Sequence, residues 1–336
     1  MTTSFGNGMS GLTYSLRLIG WFLLLGMIGC GRGETILSIA FSPRNPDVLY
    51  VGTTGGGVYK SIDAGTTFDR FDQGLSRYNI SSIAVNPSIP TVIYAGTFGD
   101  SVYRSVDSGR NWMLIHNGLS DNVGTQAINA IVVDPRTPEI LYVGTNHGVY
   151  KTIDGGGEWK SANMGMANRF VISLAIHPLE SQTLLAGTNE GIFKTADGGK
   201  TWNLLHLESK KWAVNTLLFH PFDPVLIYAG TNFGFFRSAD YGANWEGRRQ
   251  GVAPSFVTAI SVDPTSPQTL YVGANDGIYK SGDGGGSWEL SAATPRSVTS
   301  LSLPPGLGGT LFAGTTKGLY KSVDRGEHWT KIRTHS

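Results

Sequence analysis

The sequence predicts an all-β protein, a single seven-bladed β-propeller with four antiparallel strands in each blade. A short phrase of the form S/T-x-D-x-G-x-x-W/F recurs seven times along the chain. Its Asp residues lie 44, 47, 43, 43, 43 and 41 positions apart, a period of the size of a four-stranded blade. Runs of β-favouring residues fill each period, and no window of helical periodicity intervenes. The seven are Asp63, Asp107, Asp154, Asp197, Asp240, Asp283 and Asp324.

Three strand-like segments precede the Asp phrase in every period. The first ends in Pro, as in residues 36–43, the second closes on Gly, as in residues 48–52, and the third is short, as in residues 57–61. A fourth strand follows the aromatic, so the phrase is predicted to be the hairpin between strands three and four. Such small sheets bury their faces only by stacking radially in a closed ring.

The phase of the repeats predicts how the ring closes. The first repeat opens with its first strand and the last ends after its fourth, at residues 329–332. We therefore expect blades that do not share strands. Closure then depends on packing of the seventh blade against the first, unless residues 31–35 add an edge strand.

The residues of the Asp phrase have a structural explanation. The carboxylate is expected to accept hydrogen bonds from backbone N–H groups two or three residues on, while Gly supplies a left-handed conformation. The Ser or Thr adds a second bond, and the Trp or Phe covers the joint between sheets. An EF-hand loop needs several oxygen ligands, whereas residues 154–157 offer one carboxylate, so no calcium site is predicted.

A cation precedes every Asp phrase, and its aliphatic stem is expected to pack over aromatic rings with a solvated head. These cations are Lys60, Arg104, Lys151, Lys194, Arg237, Lys280 and Lys321. The seven His residues show no metal-binding spacing, and His177 and His220 stand before Pro as turn residues. The sequence therefore predicts neither a metal site nor a cofactor.

The first 35 residues form a separate segment. After Arg17 comes an apolar run over residues 18–28, which has the length of a signal-peptide core and is short for a membrane span. It ends in Met27-Ile28-Gly29-Cys30, which resembles a bacterial lipobox with Cys30 as the lipidated residue. We divide the chain into a signal or lipoprotein segment, 1–35, and the propeller, 36–336.

This segment predicts an exported protein, either a membrane-anchored lipoprotein or a periplasmic or extracellular one. A signal segment without lipid is the alternative, and a cytoplasmic protein is a third. With a formal net charge of +1, nothing drives the whole chain toward nucleic acid or an anionic membrane. We expect a monomer that touches a membrane only through its N-terminal lipid or signal anchor.

The tandem phrase is similar to the Asp-box, or bacterial neuraminidase (BNR), repeat over residues 36–332. Families that share this repeat include sialidases, two-propeller xyloglucanases, the sortilin ectodomain and the photosystem II stability and assembly factors. Sialidase activity would imply six blades and a three-arginine clamp. The assembly factors resemble this chain better in plan, which implies a non-catalytic, exported or lipid-anchored scaffold that binds proteins during assembly.

The predicted binding face lies opposite the Asp phrases. Propeller topology places there the loops between strands two and three and the connections between blades. Cations and aromatics outnumber carboxylates in them, and such mixtures favour binding of a protein or another anionic ligand, with carbohydrate left open. Solvated, variable loops are the alternative. The predicted contacts are Arg77, Tyr78, His147, Arg169, Lys211, Trp212, Phe233, Arg248, Arg249, Arg296 and Lys317.

An enzyme is the second hypothesis. Glu190 and Asp276, with Asp100 and Asp121, also fall in loops of this face. Two carboxylates about 5–9 Å apart across a pocket hydrolyse glycosides. The alternative function is therefore a sialidase- or xyloglucanase-like glycoside hydrolase acting at the channel mouth.

Overall fold

A computed structural model describes residues 34–75, 79–99, 101–119, 127–205, 212–247, 250–251 and 254–334. Within them the chain forms seven antiparallel sheets, which confirms the predicted seven blades of four strands. The strands of the first four blades are β1 Ile36–Ser42, β2 Asn45–Thr53, β3 Val58–Ser61, β4 Asp69–Arg70; β5 Ile80–Val85, β6 Ile93–Thr97, β7 Val102–Ser105, β8 Met113–Leu114; β9 Ile128–Val133, β10 Leu141–Thr145, β11 Gly148–Thr152, β12 Lys160–Ser161; β13 Val171–Ile176, β14 Leu184–Thr188, β15 Gly191–Thr195 and β16 Asn203–Leu205.

The last three blades continue the same order. Their strands are β17 Val214–Phe219, β18 Ile227–Thr231, β19 Gly234–Ser238, β20 Glu246–Gly247; β21 Gln250–Gly251, β22 Val257–Asp263, β23 Ser266–Ala274, β24 Ile278–Ser281, β25 Ser287–Leu290; β26 Val298–Ser302, β27 Leu311–Thr315, β28 Gly318–Ser322 and β29 Thr330–Ile332. Each blade is built from consecutive strands, as the repeat phase predicts. Blade 6 has an extra strand that was not predicted, because β21 pairs in parallel with β25.

Blade 7 closes the ring on blade 1, as expected. Ile36 and Leu49 of blade 1 share an apolar cluster with Phe312 and Leu319 of blade 7. The hydroxyl of Thr299 donates to the carbonyl of Ile36 across the same junction. Glu34 and Thr35 lie in no strand, so these two residues add no edge strand, while residues 31–33 lie outside the described part. Closure is therefore noncovalent and made by side-chain packing and hydrogen bonds.

The innermost strands are joined by a belt of hydrogen bonds. Near the start of the first strand, a polar side chain donates to the carbonyl of the first strand residue in the next blade. Asn129 reaches Val171 at 2.6 Å, and Thr258 reaches Val298 at 2.7 Å. Leu37 stands at this position in blade 1 and has no group to donate.

A glycine near the end of each second strand lets the blades approach one another. A Cβ at Gly230 would overlap Val257 of blade 6, and a Cβ at Gly52 would lie 2.7 Å from the Ile80 side chain of blade 2. Only glycine fits between strands this close. The glycines in this position are Gly52, Gly96, Gly144, Gly187, Gly230, Gly273 and Gly314.

We call the seven S/T-x-D-x-G-x-x-W/F segments the Asp turns. Their predicted hydrogen bonds are confirmed, except that the carboxylate accepts different backbone N–H groups from those expected. In the first turn, Ser61 Oγ donates to Asp63 Oδ1 at 2.7 Å and accepts the N–H of Gly65 at 2.8 Å. The carboxylate accepts backbone N–H groups three and four residues on, from Thr66 and Thr67, rather than two or three. The hydroxyl of Thr67, which donates to Asp63 Oδ2 at 2.6 Å, and these backbone bonds hold the pKa of Asp63 down at about 2.

The two residues after each Asp both have positive φ. Gly65 stands at +79° and Ala64 at +55°, and the same pair of left-handed residues recurs in the other turns. Glycine adopts this region without strain, whereas the first of the two positions is non-glycine in four turns. Those four residues are Ala64, Ser108, Tyr241 and Arg325.

The aromatic of the turn joins neighbouring blades. In three turns the indole N–H donates to a carbonyl of the preceding blade, as Trp112 does to Phe71 and Trp159 to Ile115, both at 2.9 Å. Trp202 does the same to Ala162 at 2.8 Å. The prediction that this ring covers the joint between sheets is confirmed, with a hydrogen bond added.

The cations before the turns are only partly as predicted. In four of them the ammonium group lies over an aromatic ring and donates to a carbonyl, so the prediction of a solvated head is wrong for these four. Lys194 Nζ lies 3.6 Å from the Tyr241 ring centroid and donates to the Tyr241 carbonyl at 2.7 Å. Each of the four donates to the first residue after Asp in the next blade; the other pairs are Lys60 with Ser108, Lys151 with Gly198, and Lys321 with Ala64. These lysines tie one blade to the next.

The described residues include no helix with the length and apolarity required to span a membrane. The predicted signal segment and Cys30 lie outside the described residues.

Candidate functional site

The strand order divides the loops between two rims. We call one the Asp-turn rim; it carries the Asp turns and the loops between first and second strands. Backbone bonds join these loops within a blade, as the N–H of Ala64 does with the carbonyl of Asp47 at 2.9 Å. The other, which we call the loop rim, carries the loops between second and third strands and the connections between blades. Of the predicted binding residues that the structure describes, all but Trp212 lie exposed on the loop rim.

Short, rigid hairpins on the loop rim present one outward residue each. In blade 3 the Thr145 hydroxyl donates to the Gly148 carbonyl at 2.9 Å and accepts the N–H of His147 at 3.0 Å. The same two bonds recur in blades 4, 5 and 7 around Glu190, Phe233 and Lys317. These four side chains therefore occupy the same loop position in successive blades.

The connections between blades contribute cations to the loop rim. Arg169 and Arg296 are exposed and precede β13 and β26. The connection at Arg296 is joined to the neighbouring hairpin, because the N–H of Ser297 donates to the Asn275 carbonyl at 2.8 Å. Five predicted contacts lie outside the described residues: Arg77, Tyr78, Lys211, Arg248 and Arg249.

An aromatic stack stands in blade 5. Phe233 is 56% exposed on the loop rim, and its ring centroid lies 5.6 Å from that of Trp212. Trp212 is only 4% exposed and packs against Phe236 at 4.5 Å. The sequence predicts Trp212 as a contact residue, but this side chain is buried in the blade core and supports the ring of Phe233.

The carboxylates of the enzyme hypothesis are separated by a blade. Glu190 lies half-buried in the hairpin of blade 4, and Asp276 is exposed in that of blade 6. Asp276 accepts the hydroxyl of the buried Tyr279 at 2.6 Å. Burial and this carboxylate raise the pKa of Tyr279. Asp100 and Asp121 lie outside the described residues.

The Asp-turn rim holds a groove that sequence reasoning missed. It has a volume of about 490 Å³ and lies between the turns of blades 3 and 4. Two of its lining lysines have partners: Lys160 pairs with Glu158 at 3.2 Å, and Lys151 donates to the carbonyl of Gly198 at 2.9 Å. Gly198 and Gly199 contribute no side chain to the lining, which explains why a pattern of charged or aromatic residues did not reveal the groove.

A second cluster on this rim brings Asp324, Glu327 and His328 within 4.8 Å of one another. His328 Nδ1 lies 2.6 Å from Asp324 Oδ2. Asn111 and Thr201 bond the second carboxylate oxygen of their own turns from the same position. The turn itself therefore accounts for the contact between Asp324 and His328.

Comparison with solved structures shows the same fold in proteins of different activity. A glycoside hydrolase family 74 xyloglucanase from Xanthomonas campestris superposes with a TM-score of 0.74 at 16% identity, over 91% of this chain and 55% of the enzyme. The chain thus spans about half the length of that enzyme. No family model and no curated protein matches the chain.

Two structures of YCF48 match over nearly their whole length. YCF48 bound to a D1 peptide has a TM-score of 0.65 at 17% identity, over 87% of this chain and 94% of that one. YCF48 from Cyanidioschyzon merolae has a TM-score of 0.65 at 16% identity, over 88% and 97%. At these identities the likeness establishes the architecture, a seven-bladed β-propeller that both binding proteins and glycoside hydrolases use.

Proposed function

We propose that this protein is a non-catalytic platform that binds a protein partner on the loop rim. Phe233 carries the proposal, because a half-exposed aromatic held by a buried Trp is the kind of rigid anchor on which binding energy concentrates. The exposed cations Arg169, Arg296 and Lys317 lie on the same rim and favour an acidic partner surface.

The likeness to YCF48 supports the same proposal. In that match both chains are covered almost completely, and the solved relative holds a peptide. The partner of the present protein is proposed by its chemistry alone, as a protein segment with an apolar residue close to acidic ones.

Blade 5 offers a matched test of this assignment. Phe233 on the loop rim and Phe222 on the Asp-turn rim are 56% and 59% exposed. The full chain and its Phe233→Ala and Phe222→Ala variants would be used as bait in affinity purification from the native host. We expect Phe233→Ala to reduce capture of the specific partner at least ten-fold, a loss of about 1.4 kcal/mol, and Phe222→Ala to leave it unchanged. Equal capture by both variants would refute the assignment of the rim.

The second candidate is a glycoside hydrolase, favoured by the likeness to the xyloglucanase. In that case Glu190 and Asp276 supply the carboxylates. Release of reducing ends from xyloglucan or a sialoside, abolished by Glu190→Gln or Asp276→Asn, would replace the binding proposal. The binding proposal expects no release and unchanged partner capture by both variants.

We further propose that the chain is exported and held at a membrane by a lipid on Cys30. Mass spectrometry of the mature N-terminus tests this directly. A diacylated Cys30 is the expected species, and an unmodified Met1 contradicts export.

A further inference from the structure

The loop after the first strand is capped by a side chain in several blades. In blade 2, Asn86 Oδ1 accepts the N–H groups of Ser88 and Ile89, both at 2.9 Å. In blade 4, the acceptor is a ring nitrogen: His177 Nδ1 accepts the N–H of Leu179 at 3.2 Å and that of Glu180 at 2.8 Å. A titratable group therefore does in blade 4 what an amide does in blade 2.

His177 is only 4% exposed, at the junction of blades 4 and 5. The rings of Phe219 and Tyr241 meet it edge-on, at centroid distances of 5.1 and 5.6 Å. The charged groups that act on it are the Glu180 carboxylate and the Lys194 ammonium, and both are bonded to Tyr241, at 2.8 and 2.7 Å. Burial lowers the pKa of His177, Glu180 opposes this and Lys194 adds to it.

Protonation would remove the cap. An imidazolium has no free lone pair, so a proton on Nδ1 would face the two backbone N–H groups that this atom now accepts. The released loop, residues 178–183, also holds blade 3, because Arg136 donates to the Leu179 carbonyl at 2.9 Å and Ser181 to Asp134 at 2.6 Å. Loss of the cap would thus loosen contacts on both sides of blade 4.

We propose that His177 makes the loop at residues 178–183 an acid-released element of the Asp-turn rim, closed with neutral imidazole and opened by protonation of the ring. The direction follows from linkage. A group whose pKa is lower in the closed state than in the open state stabilises the closed state above the open-state pKa, and this stabilisation is lost as the pH falls. With an ordinary histidine pKa of about 6.5 in the open loop, the opening begins below that pH.

His220 repeats the arrangement in blade 5. Its Nδ1 accepts the N–H of Asp223 at 2.9 Å, and its Nε2 lies 3.0 Å from the Pro267 carbonyl of blade 6. Because Nδ1 accepts, the proton is assigned to Nε2, which donates to Pro267.

Amide hydrogen exchange on the full chain tests the proposal. Between pH 7.5 and 5.5, after correction for intrinsic exchange, protection of the Leu179 and Glu180 amides is expected to fall about ten-fold in the wild type. His177→Asn, which installs the cap of blade 2, should remove this dependence, while His147→Asn on the loop rim should retain it. Constant protection in the wild type, or an equal fall in His177→Asn, would overturn the proposal.

A second measurement needs no variant. The imidazole carbon shifts of His177, followed by NMR in the intact protein, should report the Nε2–H form at neutral pH and a midpoint below 6.5. A midpoint at or above that pH would equally overturn the proposal.

Discussion

On the first rim, the Asp-turn rim, the seven Asp turns repeat the same hydrogen bonds, whereas on the second, the loop rim, successive hairpins present different side chains. In four blades a lysine also donates to the Asp turn of the next blade, as Lys321 does to Ala64. His147, Phe233 and Lys317 exemplify the second, where equivalent hairpins carry an imidazole, a phenyl ring and an ammonium group. The hydrogen bonds of the Asp turn require the same residue types in every blade, so variety concentrates where hairpin side chains face solvent.

The largest loss of stability is expected from a side chain that fills the space between two blades. Gly230→Val would drive its side chain into Val257, and we expect a loss of about 3 kcal/mol in the free energy of unfolding, measured by urea denaturation. Gly282→Val is the control, since nothing lies within 4 Å of that position and blades 2 and 7 already carry Val there. Similar losses in both variants would show that close approach is not the reason for glycine.

On the Asp-turn rim, the contribution of the Asp107 carboxylate to stability can be tested by its dependence on pH. Asp107→Ala removes the acceptor of the Asn111 N–H and Nδ2 bonds, and we expect a loss of about 1–2 kcal/mol at pH 7. The pKa of Asp107 is held at about 2 by these bonds, below its unfolded value of about 3.9. The carboxylate therefore stabilises the fold above pH 4 and less as the pH falls toward 2, so the difference between variant and wild type should shrink over this range.

The control for this measurement is Glu139→Ala, an exposed carboxylate on the same rim. It should change stability by less than about 0.5 kcal/mol at either pH. A difference for Asp107→Ala that stays constant between pH 4 and 2 would contradict the role of the ionised carboxylate.

Blade 7 carries one lysine at each rim, so the same substitution can be compared at both. Lys321→Met removes the ammonium that bonds Ala64 and keeps an apolar stem over Phe312, so a loss of about 1 kcal/mol is expected. Lys317→Met, on the loop rim of the same blade, should leave the urea midpoint unchanged and alter only partner binding. Equal effects on stability would erase the distinction between the rims.

The smallest expected effect is a gain in stability. Ala64 has φ of +55°, which glycine adopts more readily, so Ala64→Gly should raise stability by about 0.5 kcal/mol. Ala196→Gly, in an exposed position without positive φ, should lower it by a similar amount. Thermal denaturation of the two variants would show shifts of opposite sign if backbone strain at Ala64 is real.

The ring and its hairpins could be predicted because their signals are local. The spacing of the Asp phrase predicted the blades, and the turn chemistry of Ser61, Asp63 and Gly65 follows from residues four apart or fewer. Contacts between blades were harder, because they join positions more than 40 residues apart. Hence the ammonium of Lys321 was expected in water, whereas it donates to the carbonyl of Ala64.

The site was predicted only in outline. Which loops share a rim follows from strand order, and His147, Phe233 and Lys317 occupy equivalent hairpins of the loop rim. Which aromatic is exposed depends on packing within a blade, which the sequence does not display. The exposure of Phe233 and the burial of Trp212 therefore follow only from three-dimensional packing.

Each blade is formed by one continuous stretch of chain, and the junction between the last blade and the first is held by noncovalent contacts, as the packing at the other junctions is. The folded ring therefore does not require that any particular blade come first in the chain. A circularly permuted chain, opened at another inter-blade connection and joined across residues 334 and 34, is expected to assemble the same seven-part circle.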